Sequence, residues 1–362
     1  MDDPEANRSN LIKELIYIDL NEPISNGLKG LSNLGNTCYL NSIVQCLSQT
    51  LKLTEHLIVG QSTHCLINNS RESKIGLVIS YIRLLSQLWY NNTKVDHQYL
   101  KNFVQSFLKH FSQGVHFRQN DAHETLLFIL DTIHTLLSKK VTYKITGRVE
   151  SDIDNYMLQS IKEWKEHYKN THSYIIDLFG GQEQLKIQCL NCNKVTKRYP
   201  TSLTTILNLT DDTNDLYDCL DHLTHVEQLE KNNEWQCEHC KAYTQAHKKI
   251  GFWKLPEIFV ITLNRFVFNG RNYVKNDKFI SFPLTNLTMQ PYLSIIHDHY
   301  KYDLYAVSCH TGKTNGGHYY SYCLDQSTNK WYCFNDDDVQ EVTNLEDVVC
   351  PEAYILFYKL KH

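Results

Sequence analysis

The chain has almost no charge bias. Of its 362 residues, 36 are Lys or Arg and 40 are Asp or Glu, for a net charge of −4. Proteins that track a polyanionic backbone carry a basic excess, so nucleic acid is not expected as the main partner. The sequence also lacks long apolar runs, and none reaches the ~18 residues that a membrane-spanning helix needs. No membrane partner is expected. The start, Met1-Asp2-Asp3-Pro4-Glu5, is acidic where a secretory signal would be basic and then apolar. The expected setting is therefore intracellular, cytoplasm or nucleus, and reducing. In that setting the 12 cysteines are not a disulfide framework. What the sequence does have is core-forming content. Hydrophobic residues make up 42% and charged residues 21%, the range of a folded protein and not of a disordered one.

The hydrophobic pattern changes character along the chain. Residues 1–26 read as a loosely held, flexible leader. Helical spacing follows in Asn41–Leu51, Leu77–Trp89, Tyr99–Phe111 and Asp121–Leu137, the last with Leu126, Leu130, Ile133 and Leu137 on one stripe. Asp121-x-x-Glu124 has the form of a capping box. An amphipathic helix is expected around Ile153–Tyr168. Short β-branched and aromatic runs then appear at Gln184–Gln188, Ile258–Leu263, Leu304–Ser308, Tyr319–Leu324, Trp331–Phe334 and Tyr354–Tyr358. Helices first and strands later imply an α+β class, not an alternating one.

Three groups of residues suggest chemistry. The first is Gly30-Leu31-Ser32-Asn33-Leu34-Gly35-Asn36-Thr37-Cys38, in which a turn of glycines and asparagines delivers a cysteine to a helix start. Backbone N–H groups there favour a thiolate and, with the Asn33 amide, suit an oxyanion. A capped helix with a small buried cysteine fits the same residues. The second group is Gly316-Gly317-His318-Tyr319, followed by Phe334-Asn335-Asp336-Asp337. A catalytic cysteine needs a base, and the base needs a side-chain oxygen to fix its tautomer. Adjacent antiparallel strands would bring His318 and Asn335 together. His310 is a rival base, and a hairpin with a polar turn is the plainer reading. The third group is a pair of CxxC turns, Cys189/Cys192 and Cys237/Cys240. Two such turns make a closed Cys₄ site of structural type, with no position left for a substrate. His239 could substitute as a ligand, and a redox role for CxxC is the alternative.

Together these segments resemble the ubiquitin-specific proteases, a family of cysteine deubiquitinases. The resemblance rests on the cysteine box at residues 30–42, Gln119-Asn120-Asp121-Ala122-His123-Glu124, Leu255-Pro256 through Leu263-Asn264-Arg265-Phe266, the histidine box at Tyr302–Tyr322 and Trp331–Val339, and the closing Ala353–Tyr358. It extends from about Lys29 to Lys359. Asn120 and Asn264 depart from the usual pattern.

The resemblance implies a papain-like, right-hand architecture within a catalytic domain at 27–362: a helical thumb over about 27–175, zinc-tipped β fingers over about 176–255 and a β palm over about 256–362. It implies Cys38 as nucleophile, His318 as base, Asn335 as the third member of a triad with Asp336 as helper, and Asn33 as oxyanion donor. It implies zinc at Cys189, Cys192, Cys237 and Cys240. Contacts with ubiquitin's C-terminal tail are implied at Gln119, Asp121, Glu124, Gly316, Gly317 and Tyr319. The implied activity is hydrolysis of the isopeptide bond after ubiquitin's terminal glycine, with ubiquitin and ubiquitylated proteins, and an activating protein, as the partners to test for. A catalytically weak ubiquitin-binding scaffold and a protease for another ubiquitin-like modifier are the alternatives.

Overall fold

A computed structural model of the chain describes residues 25–59, 73–90, 94–111, 119–268, 270–295, 300–313 and 316–362. Nearly all of the expected leader lies outside these residues. Its last two members are tied down, with Ser25 N–H donating to the Trp89 carbonyl and Asn26 Nδ2 to Asp325 Oδ2. The helices are α1 (Cys38–Ser48), α2 (Leu51–Ile58), α3 (Ile75–Tyr90), α4 (His97–Phe111), α5 (Ala122–Leu137), α6 (Asp152–Tyr168), α7 (Tyr174–Phe179) and α8 (Leu216–Thr224). The four helical patterns and the amphipathic stretch therefore fall on α1, α3, α4, α5 and α6. Along α5 the expected stripe of Leu126, Leu130, Ile133 and Leu137 is buried. Asp121 caps this helix by accepting from the N–H groups of His123 and Glu124. Full reciprocal capping boxes occur instead at Ser151/Asp154 and Asp215/Asp218.

The labelled strands are β1 (Gly181–Cys189), β2 (Val195–Arg198), β3 (Thr205–Asn208), β4 (Val226–Leu229), β5 (Trp235–Cys237), β6 (Ala242–Thr244), β7 (Ala246–Lys254), β8 (Ile258–Asn264), β9 (Lys301–Lys313), β10 (Gly316–Asp325), β11 (Lys330–Asn335), β12 (Asp338–Glu341) and β13 (Ala353–Leu360). The larger sheet runs β12-β11-β10-β9-β13-β8-β3. Both of its faces are covered. Phe357, Ile355 and Cys323 point into the core shared with α1, α3, α4 and α5, whereas Leu356, Tyr358 and Cys309 enter a second core with Leu216 and Leu220 of α8. Burial on both faces is why Tyr354–Tyr358 reads as an unbroken apolar run and not as an alternating one. The smaller sheet runs β2-β1-β7-β4 and sends Phe252 of β7 into the second core, and β5 and β6 pair as a separate hairpin.

Helix α1 sits between the helical layer and the larger sheet, and all eleven of its residues are buried. Its polar side chains therefore need protein partners. Ser42 Oγ lies 2.6 Å from Ser308 Oγ, Gln45 Nε2 donates to the Lys29 carbonyl at 2.8 Å, and Ser48 Oγ accepts from Trp89 Nε1 at 2.8 Å. Removing one partner would strand a buried polar group at a cost of ~1–3 kcal/mol. These contacts fix the rotation of α1, and hence the direction of Cys38 at its first turn. Arg265 plays a similar part at the far end of β8. It is fully buried, donating through Nε to the Ala353 carbonyl at 2.6 Å and through Nη1 to the Asn276 and Lys278 carbonyls at 2.9 and 2.8 Å. The Leu-x-Arg-Phe segment thus ties three stretches of backbone together.

Candidate active site and metal centre

Cys38 opens α1 and is 3% exposed. The turn before it has the unusual backbone its composition predicts, with φ of 100° at Gly35 and 55° at Asn36. Burial pushes the Cys38 thiol up, and the Asp336 charge adds to this. Backbone N–H groups of Tyr319, Tyr39 and Cys38 itself pull the other way without reversing the shift. Its side-chain contact is Gln119 Nε2, at 4.0 Å. Gln119 Oε1 in turn accepts from the Gly317 N–H at 3.0 Å, so this glutamine links the cysteine to the histidine strand.

His318 and Asn335 lie on the adjacent strands β10 and β11, whose register pairs Ser321 with Phe334. Asn335 Oδ1 accepts from His318 Nε2 at 2.6 Å. That bond leaves the proton on Nε2 and the lone pair on Nδ1, the arrangement a base requires. No hydrogen bond joins Cys38 Sγ to His318 among the described residues. His310, the rival base, is 2% exposed and packs its ring on Tyr319. Burial, with Lys275 nearby, pushes it down to about 4. A neutral imidazole sealed in the core is not placed to exchange protons with a substrate. Gly317 lies directly over it. A Cβ there would collide with His310 Nε2 and the Thr311 carbonyl, so the glycine before His318 is required by packing.

Asp336 and Asp337 form the two-residue turn between β11 and β12, because Asn335 pairs with Asp338. The turn reaches back to the start of the domain. Asp336 Oδ2 accepts from Asn33 Nδ2 at 3.0 Å, Oδ1 from Asn41 Nδ2 at 2.8 Å, and its carbonyl from the Leu31 N–H at 2.8 Å. The close approach needs Gly30, where any Cβ would strike the Asp337 backbone. Asn33 Oδ1 accepts from the N–H groups of Gly35 and Thr37, both at 3.1 Å. The amide is thus held at both ends, with one N–H still unassigned. His318 Nε2 is 3.9 Å from Asp336 Oδ2, farther than from Asn335. Asp336 therefore holds Asn33 more directly than it holds the imidazole. Asn41 was not singled out from the sequence as a site residue. A polar residue on the buried face of α1 was the available signal.

Asp121 uses Oδ1 for the cap of α5, at 2.7 Å to the His123 N–H, and Oδ2 to accept from the Tyr354 hydroxyl at 2.7 Å. Both oxygens already have a partner within the protein. Tyr319 is 3% exposed, so its side chain belongs to the core while its backbone faces Cys38. Gly316 has open space where a side chain would be.

The four CxxC cysteines meet at the end of the smaller sheet. Cys189 and Cys237 end β1 and β5, and Cys192 and Cys240 lie in the turns that follow. All four Sγ atoms lie within 4.8 Å of one another, with Cys189–Cys240 at 3.9 Å and Cys192–Cys237 at 3.8 Å. Tetrahedral Zn–S bonds of 2.3 Å put neighbouring sulfurs about 3.8 Å apart, so the set fits a metal of that kind. Cys189 is pushed down to about 6 by the Thr244 hydroxyl and nearby backbone N–H groups, whereas Cys240 is pushed up to about 12 by its contact with Cys192. Four thiols this close cannot all ionise unless a cation offsets their charge. Within this cluster the ligating atoms are all cysteine sulfurs, and His239 is not among them.

The family model for ubiquitin carboxyl-terminal hydrolase matches residues 29–358, and the chain belongs to that family. Ubiquitin carboxyl-terminal hydrolase 2 of Bos taurus is 31% identical over 351 residues, covering 94% of this chain and 56% of the relative. The Gallus gallus protein of the same name is 32% identical over 342 residues, covering 92% of this chain and 94% of the relative. Among solved structures, the SAGA Ubp8/Sgf11/Sus1/Sgf73 DUB module bound to ubiquitin aldehyde is similar with a TM-score of 0.75 and 26% identity, over 94% of this chain and 71% of that chain. The expected α+β, papain-like fold with thumb, palm and fingers is borne out by this likeness. The chain spans little more than half the length of the mammalian relatives. No helix among the described residues is long and apolar enough to cross a membrane.

Proposed function

We propose that the chain is a thiol-dependent deubiquitinase that hydrolyses the isopeptide bond after the C-terminal glycine of ubiquitin. The observation that carries this reading is the junction of two distant segments. Cys38 opens a buried helix against the backbone of the strand that bears His318, and His318 is already oriented by Asn335 at 2.6 Å. Family membership supplies the substrate class.

In this mechanism His318 Nδ1 takes the Cys38 proton, and the sulfur attacks the glycine carbonyl. Asn33, braced by Asp336, donates to the oxyanion together with backbone N–H groups. His318 then protonates the departing lysine amine, leaving a thioester between Cys38 and ubiquitin. Water that gives its proton to His318 displaces the sulfur and releases ubiquitin. Gln119, Gly316, Gly317 and the backbone of Tyr319 line the approach, and Glu124 and the remaining acceptor capacity of Asp121 suit a basic tail. The thumb, finger and palm divisions at about 175 and 255 belong to this reading too. Zinc held by Cys189, Cys192, Cys237 and Cys240 would staple the fingers and take no part in bond cleavage. In the solved neighbour, Ubp8 is bound with Sgf11, Sus1 and Sgf73. The raised Cys38 thiol, with Gln119 as its side-chain contact, supports a role here for ubiquitin or an activating protein in bringing Cys38 and His318 together.

The test is a ubiquitin probe with a C-terminal electrophile, run beside a fluorogenic ubiquitin amide. Labelling of Cys38 with turnover is expected. Tight ubiquitin binding without either would favour a scaffold, and faster turnover of another ubiquitin-like substrate would reassign the modifier.

A further inference from the structure

Outside Cys38 and the four clustered cysteines, one pair of thiols is built for chemistry of its own. Cys309 on β9 and Cys350, in the turn before β13, have sulfurs 3.6 Å apart. We propose that these two cysteines form a reversible disulfide site, oxidised by a small peroxide and reduced by a thiol.

The backbone already holds the pair in place. Cys309 is opposite Ala353 in the β9–β13 ladder, and the Ala353 N–H donates to the Cys350 carbonyl at 3.2 Å. Closing the sulfurs to the ~2.05 Å of a disulfide requires an approach of about 1.5 Å, within the range of side-chain torsions. The two thiols are unequal. The Cys309 S–H and the Tyr320 hydroxyl, at 3.9 Å, donate towards Cys350 and pull it down despite its burial, whereas burial pushes Cys309 well up. Cys350 is also the more accessible, 9% exposed against 0%. One sulfur is thus suited to meet an oxidant and the other to resolve the product.

The chemistry balances with hydrogen peroxide as the oxidant. The Cys350 thiolate attacks one oxygen, the O–O bond breaks, and hydroxide leaves as Cys350 becomes a sulfenic acid. The Cys309 sulfur attacks Cys350, the S–O bond breaks, and the second hydroxide takes the Cys309 proton. Two thiols lose two electrons, and one peroxide becomes two waters. The pair is 41 residues apart in sequence, and the closed ring would contain His318, Asn335 and Asp336. A second close pair, Cys46 of α1 and Cys323 of β10, lies wholly within the core and offers an internal comparison.

The experiment uses the full chain carrying Cys38→Ala, so that the nucleophile does not consume the oxidant. The folded protein is exposed to hydrogen peroxide, quenched, unfolded in alkylating agent and digested without reduction. Mass spectrometry should find the Cys309 and Cys350 peptides joined, lighter by two hydrogen atoms and separated by dithiothreitol, with Cys46 and Cys323 still alkylated. In Cys309→Ser the link should vanish and Cys350 should be trapped by dimedone. The same digest on the wild-type chain covers the case in which a variant does not fold. Cys309 and Cys350 remaining reduced while wild-type Cys38 is fully oxidised would overturn the proposal, as would linkage of Cys46 to Cys323 at an equal rate.

Discussion

Replacing Asp336 with alanine tests the view that this carboxylate acts through Asn33. The substitution removes acceptors from Asn33 Nδ2 at 3.0 Å and Asn41 Nδ2 at 2.8 Å. Hydrogen bonds to a charged group are worth ~1.5–3 kcal/mol each. Asn41 keeps the Leu31 carbonyl at 2.9 Å as a second acceptor, so its loss is partial. We therefore expect a stability loss of about 2–3 kcal/mol, summed over both bonds and discounted for the partners that remain. For the rate, an oxyanion donor is worth ~100- to 1000-fold in kcat when removed outright. Here Asn33 stays held through Oδ1 by the Gly35 and Thr37 N–H groups, so loosening its other end should cost the lower part of that range, ~100-fold. Steady-state turnover of a ubiquitin C-terminal fluorogenic amide gives kcat and KM separately. The loss should fall on kcat, with KM little changed. If the two residues act as a unit, Asn33→Ala with Asp336→Ala should be no slower than Asn33→Ala alone. Multiplying losses in the double variant, or a single Asp336→Ala variant within twofold of wild type, would refute the chain of contacts proposed here.

Other expectations follow from the same contacts. Burial raises the Cys38 thiol, so its iodoacetamide reaction should be slower than that of a free thiol and should climb as pH rises beyond the ordinary cysteine range. A profile already flat from pH 6 would mean a preformed thiolate–imidazolium pair. Cys237→Ser should lower bound zinc and raise KM more than it lowers kcat, and metal analysis beside kinetics would expose an unchanged pair of values. Gly317→Ala forces a side chain into His310 and should displace His318 enough to lower kcat by ~100-fold, and wild-type turnover in a folded Gly317→Ala chain would contradict that packing. Arg265→Met strands three backbone carbonyls and should cost on the order of 3 kcal/mol in denaturant unfolding. A midpoint equal to wild type would leave Arg265 without the structural part assigned to it.

How much of this was legible in the sequence depended on whether the signal was local. The α5 stripe, the six apolar strand runs and the two CxxC turns are each contained within a few residues, and each lies where its pattern pointed. The strands of the smaller sheet were harder to read. Val195–Arg198 and Val226–Leu229 are short and at most partly buried apart from Leu229, so they show no sustained apolar alternation to distinguish them from loop. Helix α8 is short, and its start is signalled mainly by the Asp215/Asp218 box. The support beneath the site was hidden for a different reason. Asn33 and Asp336 are 303 residues apart, and no window of sequence contains both. The resemblance assigned them roles, but the bond between them, the bracing by Asn41 and the hold of Tyr354 on Asp121 emerge only when the strands are assembled.

That 303-residue span has a consequence for when the proposed activity can arise. During synthesis the thiol and the amide beside it emerge before the carboxylate that steadies the amide and before the imidazole with its asparagine. A chain made only as far as the thiol carries a cysteine with neither the proposed base nor a braced amide, and on that mechanism it has no means of cutting what it meets. On the proposed mechanism, competence arrives only as the β11–β12 hairpin docks, which makes assembly of the fold itself the safety catch.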